Sequence, residues 1–342
     1  MSFLSIEDAW DLACLVQYHD STCRQDLHRG LITSERDYVS NMATHLRYPS
    51  GSIIDGTVAS LTGLPLPVFN GKINSFTLPP STEQRLGFDS IIVLSRPGEK
   101  SGQLLHKVGL YEAKWPRAFD VHPSLGPSQT RDDWDNARGG ASHFSRQLIL
   151  QSALAGTDIV TWEQFFSEEP VGQSSNGAYK PLGSTCVLSH QALAYMQSQA
   201  ALDPNNGSVK NSSWKWRHLE QMFQQQASMS LRLLMFLLGN CSLGKPIPGT
   251  ADEVRITIPS TSREALPTIN QPLADILVDG QLIIPIPSGL PNFVATVQKS
   301  MRDFGLRSYT HFLFDDDAAG RLQAERRKKK LDTLLKEITA GL

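Results

Sequence analysis

The sequence predicts an α/β fold, with a mixed central sheet flanked by helices and an additional α+β region toward the C-terminus. Three observations carry that prediction. Two apolar runs, 89–94 and 104–114, are separated by a Pro-Gly and Ser-Gly turn segment and read as paired strands. Both faces of that pair are apolar, so helices are expected to cover both. Apolar residues at helical spacing surround it on either side. Hydrophobic residues make up 40% of 342 residues, enough to build a sizeable core.

The elements follow in order. Residues 6–29 read as a helix, with Ile6, Ala9, Trp10, Ala13, Cys14, Val16 and Gln17 at helical spacing. A second helix is expected from Ser34, where Ser34 caps and Asp37 stands three residues on. Residues 49–82, rich in Gly, Pro, Ser and Thr, read as loop with short β-like runs at 66–69 and 73–78. The strand pair comes next, and then a polar, turn-rich stretch over 116–140. Helices are expected at about 142–155, 162–168 and 189–201, a linker over 203–213 and one long helix over 214–238. A strand at 254–258 and a hairpin over 276–284, turning at Asp279-Gly280, precede a helical tail over 317–340. The length suggests two parts: a core over 1–165, and a C-terminal region over 166–342 for substrate contact, oligomerisation or regulation.

Several classes are excluded or disfavoured. With 32 basic and 34 acidic residues the formal charge is −2, so no global positive field marks a nucleic-acid binder, although local distribution matters more than the sum. Four cysteines, at 14, 23, 186 and 241, form no CxxC pair. Glu7, Asp8 and Asp11 stand where a signal peptide needs positive charge, and the apolar run 231–238 is interrupted by Arg232 and too short to span a bilayer. A cytoplasmic protein with no membrane partner is expected. No GxGxxG, GxxxxGK[ST], HExxH or GxSxG motif is present.

The chemistry gathers on the strand pair. In an antiparallel hairpin centred between positions 100 and 101, opposed residues sum to about 201, which sets Asp89 across from Glu112. Glu112 and Lys114 are two apart and share a face with Leu110 and Val108. Two opposed carboxylates destabilise a sheet unless a cation lies between them. Hard carboxylate oxygens suit Mg²⁺, with Mn²⁺ as substitute, and a lysine beside them can position water or stabilise negative charge. Mg²⁺-assisted phosphodiester hydrolysis requires this combination.

Asp89, followed after the hairpin by Glu112-Ala113-Lys114, resembles the PD-(D/E)XK nuclease superfamily, over residues 30–155. Phe88, not proline, precedes Asp89. The resemblance implies a restriction-endonuclease-like fold and a divalent-metal-dependent nuclease acting on DNA, of a restriction or phage-defence kind. It implies Asp89, Glu112 and Lys114 as catalytic residues, with Asp89, Glu112, the Ala113 carbonyl and Glu35 around the metal. Glu35 lies on the inward stripe of its helix with Tyr38, Val39, Met42 and Leu46. Gln147, with Gln151 at i+4, matches the polar helix that follows the sheet in that family. Lys107, Arg117, Arg138 and Arg146 are expected to contact phosphates. Homo-oligomerisation or a partner protein of a defence system is the accompanying expectation. The other reading is a non-catalytic nuclease-like scaffold in a multi-protein assembly.

Overall fold

The computed structural model describes residues 2–47, 69, 71–78, 86–100, 102–115, 133–135, 142–166, 184–200, 202, 214–226, 228–240, 242–286 and 293–314. It is a mixed α/β fold with a central mixed sheet flanked by helices. Helix α1 (Ile6–His28) starts at Ser5, whose hydroxyl accepts the Asp8 N–H, and α2 (Glu35–Arg47) follows. Then come β1 (Lys72–Thr77), β2 (Ser90–Pro97), β3 (Leu104–Lys114), β4 (Asp133–Asp135) and α3 (His143–Gln151), which runs into a 3₁₀ turn over Ser152–Leu154. Next are β5 (Val160–Phe165), β6 (Thr185–Leu188), α4 (Ser189–Ser198), β7 (Trp214–Lys215), α5 (Trp216–Gln225), β8 (Met229–Ser230) and α6 (Leu231–Asn240). The chain continues through β9 (Ile247–Gly249), β10 (Glu253–Thr257), α7 (Ser260–Ile269), α8 (Gln271–Ala274), β11 (Gln281–Pro285), α9 (Phe293–Phe304) and β12 (Ser308–Leu313).

The central sheet runs β1-β12-β2-β3-β5-β6-β8, with β9 also on β3. β12 is parallel to β2, and β5 is parallel to β3; the other pairings are antiparallel. The sheet therefore draws strands from both sides of the boundary expected at 165/166, because β12 inserts between β1 and β2.

Both faces of the hairpin are covered, as its two-sided apolarity requires. Ile92, Leu94, Tyr111 and Ala113 pack with the buried stripes of α1, α2 and α6. Ile91, Val93, Val108 and Leu110 pack with the β10–β11 layer and with α7 and α9. A buried polar knot anchors α2 on the first face. The Tyr38 hydroxyl donates to Asp20 (2.5 Å) and accepts from the Gln164 amide (2.7 Å), and Ser184 donates twice to Asp20.

Three local expectations are corrected. Residues 162–168 were expected to be helical, but 160–165 form β5, because Val160, Trp162 and Phe165 fit a slot beside β3 that is buried on both faces. The long helix expected over 214–238 is two helices, with the chain entering the sheet at Met229–Ser230 between them. Asp279 and Gly280 do turn with φ of 51° and 73°, the positive pair of a type I′ turn. Yet the arm before it makes one bridge, and β11 pairs with β10 instead. The tail expected to be helical, and the 66–68 run, lie outside the described residues. Among the described residues no helix is long and apolar enough to cross a membrane.

Candidate active site

The hairpin register follows the sum of 201: Ser90 pairs Tyr111, and Val93 pairs Val108. The ladder ends at Ser90–Tyr111. The Asp89 N–H also donates to the Tyr111 carbonyl (2.9 Å), one step out of that register, so the expected Asp89–Glu112 pairing is not part of the ladder, although the two carboxylates are near enough to act on each other electrostatically. The Asp89 carboxylate is wholly buried. Its Oδ2 accepts the Ala113 N–H (3.1 Å), and its Oδ1 meets the Arg307 Nε (3.0 Å).

Two residues along β3, the Lys114 ammonium donates to Glu112 Oε1 (2.8 Å) and Gln147 Oε1 (2.6 Å). Gln147 Nε2 donates to the same Glu112 oxygen (2.6 Å), closing a three-membered ring of contacts. The amide is thereby oriented, oxygen to the cation and nitrogen to the anion. Gln147 reaches the ring because α3 is capped at Ser142 and lays Phe144, Gln147, Leu148 and Gln151 along its buried side. Glu112 Oε2 is buried and has no hydrogen-bond partner. Glu35 heads α2, where Ser34 accepts the Asp37 N–H (3.1 Å), and its Oε1 accepts the Trp115 N–H (3.1 Å). The Glu35 side chain thus points inward, as its helical stripe predicts.

Burial pushes the Glu112 pKa well up, and Asp89 pushes it further, against Lys114. Burial also raises Asp89, against Arg307 and Lys114. Burial works against the charge on Lys114, but Glu112, Glu35, Glu163 and Asp89 together push its pKa above the ordinary value. Lys114 is held as an ammonium.

Two neighbours were not legible in the sequence. Glu163 on β5 is the register partner of Glu112 and is wholly buried. Its Oε1 accepts the Ser189 hydroxyl (3.0 Å), its Oε2 has no partner, and burial lifts its pKa to about 7. Reading 160–165 as a strand would have exposed it. Arg307 directly precedes β12 and lies beside Asp89, since Ser308 pairs Ser90. Arg307 and Asp89 are thus neighbours where β12 meets β2, and Glu112 and Glu163 are neighbours across β3 and β5. No sequence signal marks Arg307, because its place depends on β12 entering the sheet beside β2.

The expected phosphate contacts are not brought together. Lys107 is a correction: it lies on the opposite face from Glu112, is buried, and donates to the carbonyls of Leu238 (2.8 Å) and Leu243 (2.7 Å) at the end of α6. An odd offset along β3 sends it to the α1–α6 side. Arg146 is exposed on α3, and Arg117 and Arg138 lie outside the described residues.

Among the described residues no group of three or more His, Cys, Asp or Glu is close enough to hold a metal. The donors present still suit a hard divalent cation. Mg²⁺ is commonly held by one or two carboxylates, the rest of its shell being water and substrate phosphate. Glu112 Oε2, a buried carboxylate oxygen without a donor, is the atom such an ion would satisfy. No protein-family model, curated protein or solved structure matches the chain.

Proposed function

We propose that the chain is a divalent-metal-dependent nuclease of the PD-(D/E)XK type with a restriction-endonuclease-like core, hydrolysing phosphodiester bonds of DNA, in a restriction or phage-defence setting. The observation that carries the reading is the buried cluster itself. The buried Asp89 carboxylate accepts the N–H of Ala113, next to Glu112, and raises the Glu112 pKa, and the Lys114 ammonium is bonded to Glu112. A fold does not bury two like charges side by side for stability. Perturbed carboxylates with a specific cationic partner are characteristic of catalytic sites.

Asp89, Glu112 and the Ala113 carbonyl would hold the ion, with Glu35 supporting the strand end at Trp115. Mg²⁺ bound there would polarise the phosphate and make hydroxide available at neutral pH. The residues of the chain supply the rest. Lys114, kept protonated, donates to a water or to the phosphate oxygens and stabilises negative charge as it develops; it is not a base. Gln147 fixes the Lys114 and Glu112 side chains relative to each other, so little reorganisation is needed at the moment of reaction.

The test is incubation with supercoiled plasmid, linear DNA and RNA in Mg²⁺, Mn²⁺ and EDTA. Cleavage in Mg²⁺ that is lost in EDTA and in Asp89→Asn, Glu112→Gln and Lys114→Ala is expected. Wild-type-like cleavage by any one of these variants removes that residue from the machinery. The second reading, a non-catalytic nuclease-like scaffold, is favoured by one observation: both Asp89 oxygens are already engaged by protein donors. Calorimetry showing no Mg²⁺ or Mn²⁺ uptake by folded protein would select it.

A further inference from the structure

We infer that Arg307 is the substrate-binding residue of this site, presenting its guanidinium to a backbone phosphate of the nucleic acid. The inference rests on the nuclease reading and adds the group that receives the anion. A guanidinium has five donors in a planar fork, and one edge can be anchored while the other binds. Arg307 is arranged in that way. Its Nε is fixed to Asp89 Oδ1 at 3.0 Å, and its side chain is 30% exposed where Asp89 is wholly buried. No other hydrogen bond of its guanidinium is formed among the described residues.

The backbone holds the anchor. The Arg307 N–H donates to the Asp89 carbonyl (2.6 Å), and its own carbonyl accepts the Leu78 N–H (2.7 Å). The Ser90 and Ser308 hydroxyls join the two strands one step further in, at 2.5 Å. Arg307 is thus held against Asp89, with its side chain partly exposed where Asp89 is buried.

The site also has a need for it. Its buried members carry Asp89, Glu112 and Glu163 against Lys114, and Lys114 is spent on Glu112 and Gln147. With Lys114 so engaged, a phosphate entering the site needs a further cationic donor at its edge. The free edge of Arg307 is the matching fork for two phosphate oxygens, a geometry that lysine cannot reproduce. Its Asp89 contact keeps the fork oriented, so less freedom is lost on binding.

The experiment measures binding apart from cleavage. Fluorescence anisotropy of a labelled duplex oligonucleotide is followed in Ca²⁺ across a salt series. The proteins compared are wild type, Arg307→Gln and Arg307→Lys, with thermal melts alongside. Arg307→Gln is expected to bind at least about 10-fold more weakly, with the slope of log Kd against log salt reduced by about one. Arg307→Lys keeps the charge and the salt slope but loses several-fold in affinity, and decides the matter if the Gln variant does not fold. Variants that are folded and bind as tightly as wild type overturn the inference. If wild type cleaves plasmid while these variants bind normally, Arg307 alone is wrong. If wild type neither binds nor cleaves, the nuclease reading falls and takes this inference with it.

Discussion

Replacing Lys114 by Met tests the electrostatics of the site without touching its shape. The two side chains of the Lys114–Glu112 pair are 4% and 2% exposed and 2.8 Å apart. At an effective dielectric of about 20, two unit charges at that distance attract by roughly 6 kcal/mol, before the cost of desolvating both. Removing one partner of a buried pair costs about 3–5 kcal/mol, because the other charge is stranded. Glu112 has an escape, which is to take up a proton. From an unfolded value of 4.5, protonation costs about 1.4 kcal/mol per pH unit, or about 5 kcal/mol at pH 8 and under about 1 kcal/mol at pH 5. In the variant the folded Glu112 pKa lies further above 4.5, so the fold binds more protons than the unfolded chain above that pH. Its stability therefore falls as pH rises. Urea denaturation followed by tryptophan fluorescence should show a loss of about 3–5 kcal/mol at pH 8, shrinking toward about 1 kcal/mol at pH 5. An equal loss at both pH values would refute the reasoning, since Glu112 would then carry no charge in the wild-type fold.

Three further outcomes are expected. Lys107→Met strips the donor from the Leu238 and Leu243 carbonyls and should cost about 1–3 kcal/mol in urea, with nucleic-acid affinity unchanged. A drop in affinity with stability intact would restore Lys107 as a phosphate contact. Glu163→Gln should stabilise the protein by about 3 kcal/mol at pH 8, because burial raises Glu163 from 4.5 to about 7 and stability is lost as pH rises through that window. The gain should vanish below pH 4.5. Burial lowers His106 to about 4, and His19 and His311 to about 3. Below pH 6.5 the unfolded chain takes up protons that these histidines refuse in the fold, a loss of stability that the proton uptake by folded Glu112 and Glu163 partly offsets, so the histidine contribution is read by comparing variants with wild type from pH 6.5 to pH 4. Relative to wild type, His19→Leu should gain stability as pH falls, with the slope changed by about one proton, and an unchanged slope would show that His19 is already protonated in the fold.

What the sequence determined by itself is local. The apolar runs and the turn between them set the β2–β3 register from Ser90–Tyr111 to Pro97–Leu104, because pairing in a hairpin follows from where the turn is centred. Helical spacing placed Tyr38, Val39, Met42 and Leu46 on the buried side of α2 and turned Glu35 inward. Gln147 and Gln151 were legible for the same reason, a shared face four residues apart on α3. What only the tertiary structure decided is which distant segments lie beside that hairpin. Residues 160–165 are short and apolar, ambiguous between helix and strand until β3 offers them a slot, so Glu163 stayed hidden. Arg307 lies 218 residues from Asp89 and reaches it because β12 inserts between β1 and β2. Lys107 went the other way: its charge suggested a phosphate contact, but strand alternation and the end of α6 took it into the interior. Periodicity governs neighbours along one element, whereas neighbours across the sheet are chosen by the burial of whole faces, which no short stretch of sequence encodes.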